Sequence, residues 1–281
     1  MKTFQQLPDP ALRPFVDRLW GWESVGPEVV QLPTLLPGTG AELYFHYGEP
    51  FRIETQGARP SAVDAGHLFC IRRNPIDLSP ASGIGFVAVR FKIGMLHRFT
   101  TIPATELADC RLSVSDIWGA SGADISRRLS LAGSHEQRIA LIERFLLSHL
   151  RPESADPLVE QAMAMLYRQT FPFSVEALAG ALGLGRRQLE RRWKAFSGQS
   201  PGELKGLIRF QRTVRGLMLA PTANTADEAL AWGYFDQAHF IHDFRRRAGL
   251  PPQQFLRFAR GKTHFYNTPL SKDGILATPN Q

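Results

Sequence analysis

Partway along the chain, the apolar positions change their period. Between residues 29 and 91 they come in short runs, at 29–36, 42–47, 51–55, 67–71 and 84–91, divided by Gly, Pro and Asp. Short, closely spaced runs of this kind predict the strands of an antiparallel β sandwich or barrel. In the last run Ile84, Phe86 and Ala88 alternate with Gly85, Val87 and Val89, so both faces are largely apolar and the strand is expected to be covered on both sides. Upstream, residues 1–35 are rich in proline. Their apolar patch of Leu12, Phe15, Val16, Leu19 and Trp20 fits either a short helix or an extended arm packed on something else. After residue 91 the period lengthens: 94–99 and 122–131 read as short helices and 136–150 as a longer one. The stripe of Ile139, Ile142, Phe145, Leu146 and Leu150 on that helix covers its own domain or serves a homodimer contact.

Pro152 and Pro157, with polar residues between them, interrupt the helical period, so 151–157 is the expected linker between a domain at 1–150 and a second at 158–258. Every element predicted beyond it is a helix. Residues 158–169 place Val159, Ala162, Met163, Leu166 and Tyr167 on one side. Ser174 is the expected cap of a short helix ended by Gly183, and a second helix follows over 185–197. The run Ser200-Pro201-Gly202-Glu203 joins a cap serine, a proline at the first helical position and a glutamate three residues after the cap, which starts a long helix to Leu219. The order then repeats. Ala179 and Gly183 recur 50 residues on as Ala229 and Gly233, whereas Leu189, Trp193, Gly198 and Pro201 recur 51 residues on as Phe240, Phe244, Gly249 and Pro252. The second copy therefore has one extra residue in its turn. Thr225-Ala226-Asp227-Glu228 is read as its opening cap, Asp236 as the cap of its second helix, and a final helix begins near Pro251-Pro252. Residues 259–281 read as a flexible tail. The fold class is α+β: an N-terminal antiparallel sandwich or barrel-like sensor domain with helices, then an all-α domain with two helix-turn-helix units.

Composition adds the polarity of the two halves. A chain of 281 residues with 43% hydrophobic positions is long enough for two domains with their own cores. Residues 1–150 carry 15 Lys/Arg against 15 Asp/Glu, and residues 151–281 carry 18 against 11, so the whole net charge of +7 belongs to the half with the repeat. That asymmetry points to a polyanion as its partner. Neither a secretory leader nor an apolar run long enough to span a membrane is seen, and two cysteines, Cys70 and Cys110, fit a reduced, cytoplasmic protein.

The faces of the two second helices carry the candidate chemistry. In the first, Leu189, Trp193 and Phe196 share one face, so Arg187, Arg191 and Lys194, with Arg186 and Glu190 beside them, project away. In the second, Phe240 and Phe244 point inward and leave Gln237, Ala238, Ile241, His242 and Arg245 outside. Arginine suits guanine edges in a major groove, glutamine suits adenine, and an apolar side chain can touch a thymine methyl. Arg209, Arg212, Arg215, Arg246 and Arg247 are the expected phosphate contacts, which fix register without reading sequence. The 19 residues from Pro201 to Leu219 span roughly 28 Å as a helix. Successive major-groove faces lie about 34 Å apart, so one chain could set both helices into adjacent turns.

Residues 158–258 resemble the DNA-binding domain of the AraC/XylS family of bacterial transcription regulators. The more specific part is ALAWGYFDQAHFIHDFRRRAGLPPQQFLR at 229–257, with its alanine, glycine-aromatic pair, Asp-Gln, spaced aromatics, basic cluster, Gly and Pro. It departs from the family pattern where Ile241-His242 replaces a commoner small-polar and Arg pair, and where Pro251 replaces Thr. The resemblance implies a seven-helix domain and a separate N-terminal domain that binds an effector or mediates dimerisation. ELYFHYG at 42–48 and GFVAVRF at 85–91 are loosely similar to such sensor domains. Tyr44, His46, Phe86 and Arg90, aromatics and a charge on neighbouring predicted strands, form the candidate effector pocket, with core packing as the alternative.

The expected partner is double-stranded DNA, and RNA polymerase, a small-molecule effector and a second copy through 136–150 are further candidates. No cofactor and no metal are expected, because His46, His67 and His97 with Glu42 and Asp64 lack ligand spacing such as His-x-His. Two other classes compete with a non-enzymatic regulator. A methyl-accepting cysteine enzyme would need a nucleophile, but Phe-Cys-Ile around Cys70 and Asp-Cys-Arg around Cys110 lack the expected surroundings. A DNA-coating protein would bind without choosing a site.

Overall fold

The computed structural model describes residues 1–54, 60–153, 156–168, 174–220 and 224–259. The expected tail beyond residue 259 and part of the expected linker lie outside the described residues. The first half is built on nine strands: β1 (Lys2–Gln6), β2 (Val16–Glu23), β3 (Glu42–His46), β4 (Arg52–Glu54), β5 (Ser61–Ala62), β6 (Gly66–Phe69), β7 (Asp77–Leu78), β8 (Gly85–Phe91) and β9 (Arg111–Ser113). Six form one antiparallel sheet in the order β1-β2-β8-β3-β6-β9, and three form a small sheet in the order β5-β4-β7.

The doubly apolar strands explain this arrangement. Alternate residues of the large sheet face two different cores. On one side Trp20, Trp22, Tyr44, Phe69 and Phe86 meet Phe51, Val63 and Leu78 of the small-sheet layer. On the other side Leu19, Leu43, Phe45, Val87 and Val89 meet the helices α2 (Val114–Leu131) and α3 (His135–His149) through Ile125, Leu129, Ile142 and Phe145. The stripe on α3 thus covers its own domain. Gly21 is required where β2 crosses β8, because a Cβ there would run into the Phe86 carbonyl and the Phe4 ring.

Three expectations change in detail. The N-terminal apolar patch takes the extended one of its two readings, and as a strand within the sheet: Val16, Leu19 and Trp20 open β2, which pairs with both β1 and β8. Residues 29–36 make only single bridges, Val30 to Ala81 and Leu35 to Ile76, because Pro33 withholds an amide from any longer ladder. The helix expected over 122–131 starts earlier, at Val114, under a capping box of Ser113 and Asp116 and with a kink at Gly119.

A 3-10 turn (Met95–Arg98) and α1 (Ala104–Leu107) lead from the sheet toward the second half. There the seven helices α4 (Pro157–Arg168), α5 (Val175–Ala181), α6 (Arg186–Ser197), α7 (Pro201–Leu219), α8 (Thr225–Ala231), α9 (Gln237–Ala248) and α10 (Pro252–Ala259) follow one another. Two cores divide them. One joins α4, α5, α6 and the start of α7 around Trp193, and it includes Ile93 and Met95 from the first half. The other joins the rest of α7 to α8, α9 and α10 around Phe210, Phe240 and Phe244, and it includes Leu36 from the first half.

Polar contacts reinforce these apolar ones. Gln211 on α7 donates to the Pro37 carbonyl (3.0 Å) and accepts from the Thr39 hydroxyl (3.1 Å). Gly198 packs so closely that a Cβ would lie 2.6 Å from the Ala104 carbonyl.

Candidate nucleic-acid interface

The two halves of the repeat superimpose in chemistry before they diverge. Gly183 and Gly233 end the first helix of each unit with φ of 66° and 87°, and Gly198 and Gly249 end the second with φ of 73° and 74°. Only glycine adopts this region without strain, so four recurrent glycines fix four chain reversals. The amides of Leu184 and Tyr234 reach back to equivalent carbonyls, Ala179 at 2.9 Å and Ala229 at 3.1 Å. From there the first unit needs only Gly185 to start α6, whereas the second passes through Phe235 and Asp236 to start α9. The additional residue of the second copy is Phe235, and its side chain is 86% exposed.

Caps differ accordingly. Gly185 offers α6 no side-chain acceptor, while Asp236 accepts the His239 amide at 2.7 Å. Asn224, not Thr225, caps α8 by accepting from the Ala226 amide (2.9 Å), which corrects the sequence assignment by one residue. Asn ranks above Thr among helix-capping residues.

On α6, Leu189 and Trp193 are fully buried, and Arg186, Arg187, Arg191 and Lys194 are exposed. Arg186 is shared between Glu176 on α5 and Glu190 one turn on (2.9 Å). Arg187, Arg191 and Lys194 enter no ion pair among the described residues. Arg192 turns the other way and grips Asp156 ahead of α4 through two bonds of 2.6 and 2.8 Å. On α9, Gln237, Ala238, Ile241, His242 and Arg245 are all exposed, and Phe240 and Phe244 are fully buried.

The basic residues expected at phosphates separate into two groups. Arg215 and Arg246 are exposed, and Arg212 is half-buried with its guanidinium 5.4 Å from the Trp232 ring centre. Arg209 and Arg247 face inward. They converge on Asp243, a carboxylate buried on the inner side of α9 that the sequence reading passed over. Asp243 accepts from Arg247 (2.9 Å), Arg246 (2.6 Å) and the Tyr234 hydroxyl (2.8 Å), with Arg209 at 4.0 Å. Burial alone would raise its pKa, but the bonds from Arg246, Tyr234 and Arg247 outweigh burial and hold it below the ordinary carboxylate value. An acid placed three and four residues before two arginines was the available signal.

In the first half, Tyr44, His46 and Phe86 are brought together and buried, and Arg90 reaches the same place from β8. His67 stacks on Tyr44 (5.2 Å between centres) and on His46 (5.3 Å). Burial lowers both histidines, His67 to about 4 and His46 well below its ordinary value, so both are neutral near pH 7. Both His46 ring nitrogens and Nε2 of His67 lack hydrogen-bond partners. The Glu42 carboxylate joins the cluster, accepting from Tyr44 (3.3 Å) and Arg72 (2.9 Å) with Arg90 at 3.7 Å. Burial would raise its pKa, but the two guanidiniums keep it lowered. Among the described residues no three or more His, Cys, Asp or Glu side chains are arranged to hold a metal ion. No described helix is long and apolar enough to cross a membrane. Cys70 is buried, and burial with the nearby Cys110 pushes its thiol up to about 12, the reverse of an activated nucleophile.

Residues 178–257 match the family described as a helix-turn-helix domain, and residues 5–113 match a domain of unknown function, DUF6597. A curated relative, the HTH-type transcriptional regulator ArgR of Pseudomonas aeruginosa, is 24% identical over 154 residues. That match covers 55% of this chain, and the chain spans only 45% of the relative's length. Among solved structures, ToxT from Vibrio cholerae aligns over 92% of this chain and 97% of its own, with a TM-score of 0.45 and 10% identity. Its unsaturated fatty acid bound form aligns over 94% and 98%, with a TM-score of 0.44 and 11% identity. CdpR from Pseudomonas aeruginosa aligns over 62% of this chain and 46% of its own, at a TM-score of 0.32 and 21% identity. With two helix-turn-helix units of matched construction, the second half is a helix-turn-helix domain similar to those of AraC/XylS transcription regulators.

Proposed function

We infer that the chain reads a bipartite site on duplex DNA, seating α6 and α9 in major-groove segments one helical turn apart. The observation that carries this reading is the matched pair of helices, 12 residues each, each with a buried apolar face and an outward polar or basic one. Their connector α7, 19 residues long, spans roughly 28 Å, close to the groove repeat of about 34 Å. Arg187 and Arg191 suit guanine, Gln237 suits adenine, and Ala238 and Ile241 suit thymine methyls, with Arg186, Glu190, Lys194, His242 and Arg245 alongside. Arg212, Arg215 and Arg246 meet phosphates, while Arg209 and Arg247 serve by holding Asp243 in place.

In this reading residues 1–150 receive a small-molecule effector around Tyr44, His46, Phe86 and Arg90, and 151–157 connects the two domains. Buried polar atoms without partners on that face support it, as do the contacts of Leu36 and Thr39 with the α7 region. A cytoplasmic, non-enzymatic protein that contacts RNA polymerase completes the proposal; with the 136–150 stripe packed on its own sheet, pairing with a second copy through it is not part of the reading.

Selection of bound sequences from random DNA by the full chain tests it. The expected result is two conserved blocks with centres about 10 base pairs apart, preferred over random DNA by about 10³-fold or more. One block alone rejects the bipartite reading, and no preference at all would make the chain a DNA-coating protein.

A further inference from the structure

Between the small sheet and the β9 edge of the large one lies a cleft of about 320 Å³. Ligand pockets run from roughly 300 to 1,000 Å³, so its occupant is small. Ile53, Phe69 and Ile76 form an apolar wall, and Ser61 stands at the exposed rim. Arg72 and Arg111 supply positive charge. The Arg72 side chain is only 8% exposed. Its Nη2 donates to Glu42, yet Nε and Nη1 have no partner. Asp109 also borders the cleft, but its carboxylate is turned to Arg73, accepting from the backbone amide at 2.7 Å and lying 3.5 Å from the guanidinium. The lining therefore combines two arginines with an apolar wall, which fits a negatively charged group attached to something apolar.

We propose that this cleft binds a small organic carboxylate, its charged end toward Arg72 and Arg111 and its apolar body against Ile53, Phe69 and Ile76. The proposal rests on the reading of residues 1–150 as an effector domain, and it places the ligand beside Tyr44, His46, Phe86 and Arg90, not among them. The cleft adjoins the aromatic face, since Phe69 meets Tyr44 edge-on (5.6 Å) and Arg72 shares Glu42 with Tyr44. It also adjoins the contact between the halves. The Arg72 guanidinium lies 3.1 Å from where a Cβ on Gly38 would stand, and the residues on either side of Gly38 hold Gln211. A ligand that draws on Arg72 therefore acts one residue away from the grip on α7.

Calorimetric titration of the full chain, without DNA, tests the site with 4-methylpentanoate, 4-methylpentanamide, acetate and inorganic phosphate as probes. The acid is expected to bind with a dissociation constant on the order of 1 mM or tighter, and the amide, acetate and phosphate at least about tenfold more weakly. Arg72→Lys should weaken the acid by a similar factor. Because that change also disturbs Glu42, Ser61→Trp at the exposed rim and Arg111→Gln provide the same test in folded protein. The proposal is overturned if the acid fails to bind, if amide or phosphate binds equally well, or if Ser61→Trp leaves acid binding unchanged. Failure here with an intact two-block DNA preference removes the carboxylate site alone. Acid binding by a chain with no DNA preference removes the DNA reading alone.

Discussion

The second helices of the two units, α6 and α9, share a length, a buried face and a C-terminal glycine, yet they are held in different ways. α6 sits in a core completed by Ile93 and Met95, and its outward tether is a half-exposed ion pair between Arg192 and Asp156. α9 is pinned from within by Asp243, which is 4% exposed and gathers two arginines and a tyrosine. Their outward faces differ as well: α6 offers mostly charge, whereas α9 offers Gln237, Ala238, Ile241 and His242 beside the projecting Phe235. A repeated scaffold can therefore keep its backbone geometry while changing both its anchor and its reading surface.

The largest expected effect lies in the anchors. Asp243→Ala leaves the enclosed Arg247 without its carboxylate and should destabilise the second unit by about 3 kcal/mol. Asp156→Ala in the more exposed pair should cost about 1 kcal/mol or less. Equilibrium urea unfolding of the two variants measures the contrast, and equal losses would erase it. Acid probes the same difference. The Asp243 pKa is lowered on folding, so its contribution is complete above the ordinary value of 3.8 and is lost as pH falls through the lowered one. Tyr234 and Trp232 should report this loss in the second unit below about pH 4.

Next in size come the reading surfaces. Arg187→Ala with Arg191→Ala should relax base preference in one block of the selected site, by about 1–3 kcal/mol for each paired contact, and leave the other block unchanged. An unchanged preference in both blocks would show that α6 is not a reader. The smallest effect belongs to Phe235. If it lies against thymine methyls, replacing thymine by uracil in the α9 block should weaken the parent protein by about 1 kcal/mol and Phe235→Ala hardly at all. Competition gel shifts at fixed salt resolve the difference, and an equal response in both proteins removes Phe235 from the interface.

The repeat was legible because it depends on glycines and caps whose conformational needs are local. Gly183, Gly198, Gly233 and Gly249 stand at chain reversals, and Ser174, Ser200 and Asp236 cap as expected. The α+β class was legible from the change of period. β2 was not, because two of its residues, Trp20 and Trp22, face the same core as Phe86 while Leu19 faces the opposite one, and no single amphipathic pattern results. Asp243 and Arg72 were missed for another reason. Each looks like a surface charge until chain segments distant in sequence enclose it, and sequence spacing records no such enclosure for Arg72, whose partner Glu42 is thirty residues away. The extra residue of the second turn was legible as a count, but not its identity as Phe235 or its projection from the surface.

Leu36 has a consequence for exchange between proteins. It comes from the sheet-bearing half and closes the core around Phe210 and Phe244, as Ile93 and Met95 help close the core around Trp193. The helical half is therefore not a detachable cassette. Grafted behind a different N-terminal half, it would bring two open sockets, and the new neighbour would have to supply an apolar plug for each before α6 or α9 could hold its position.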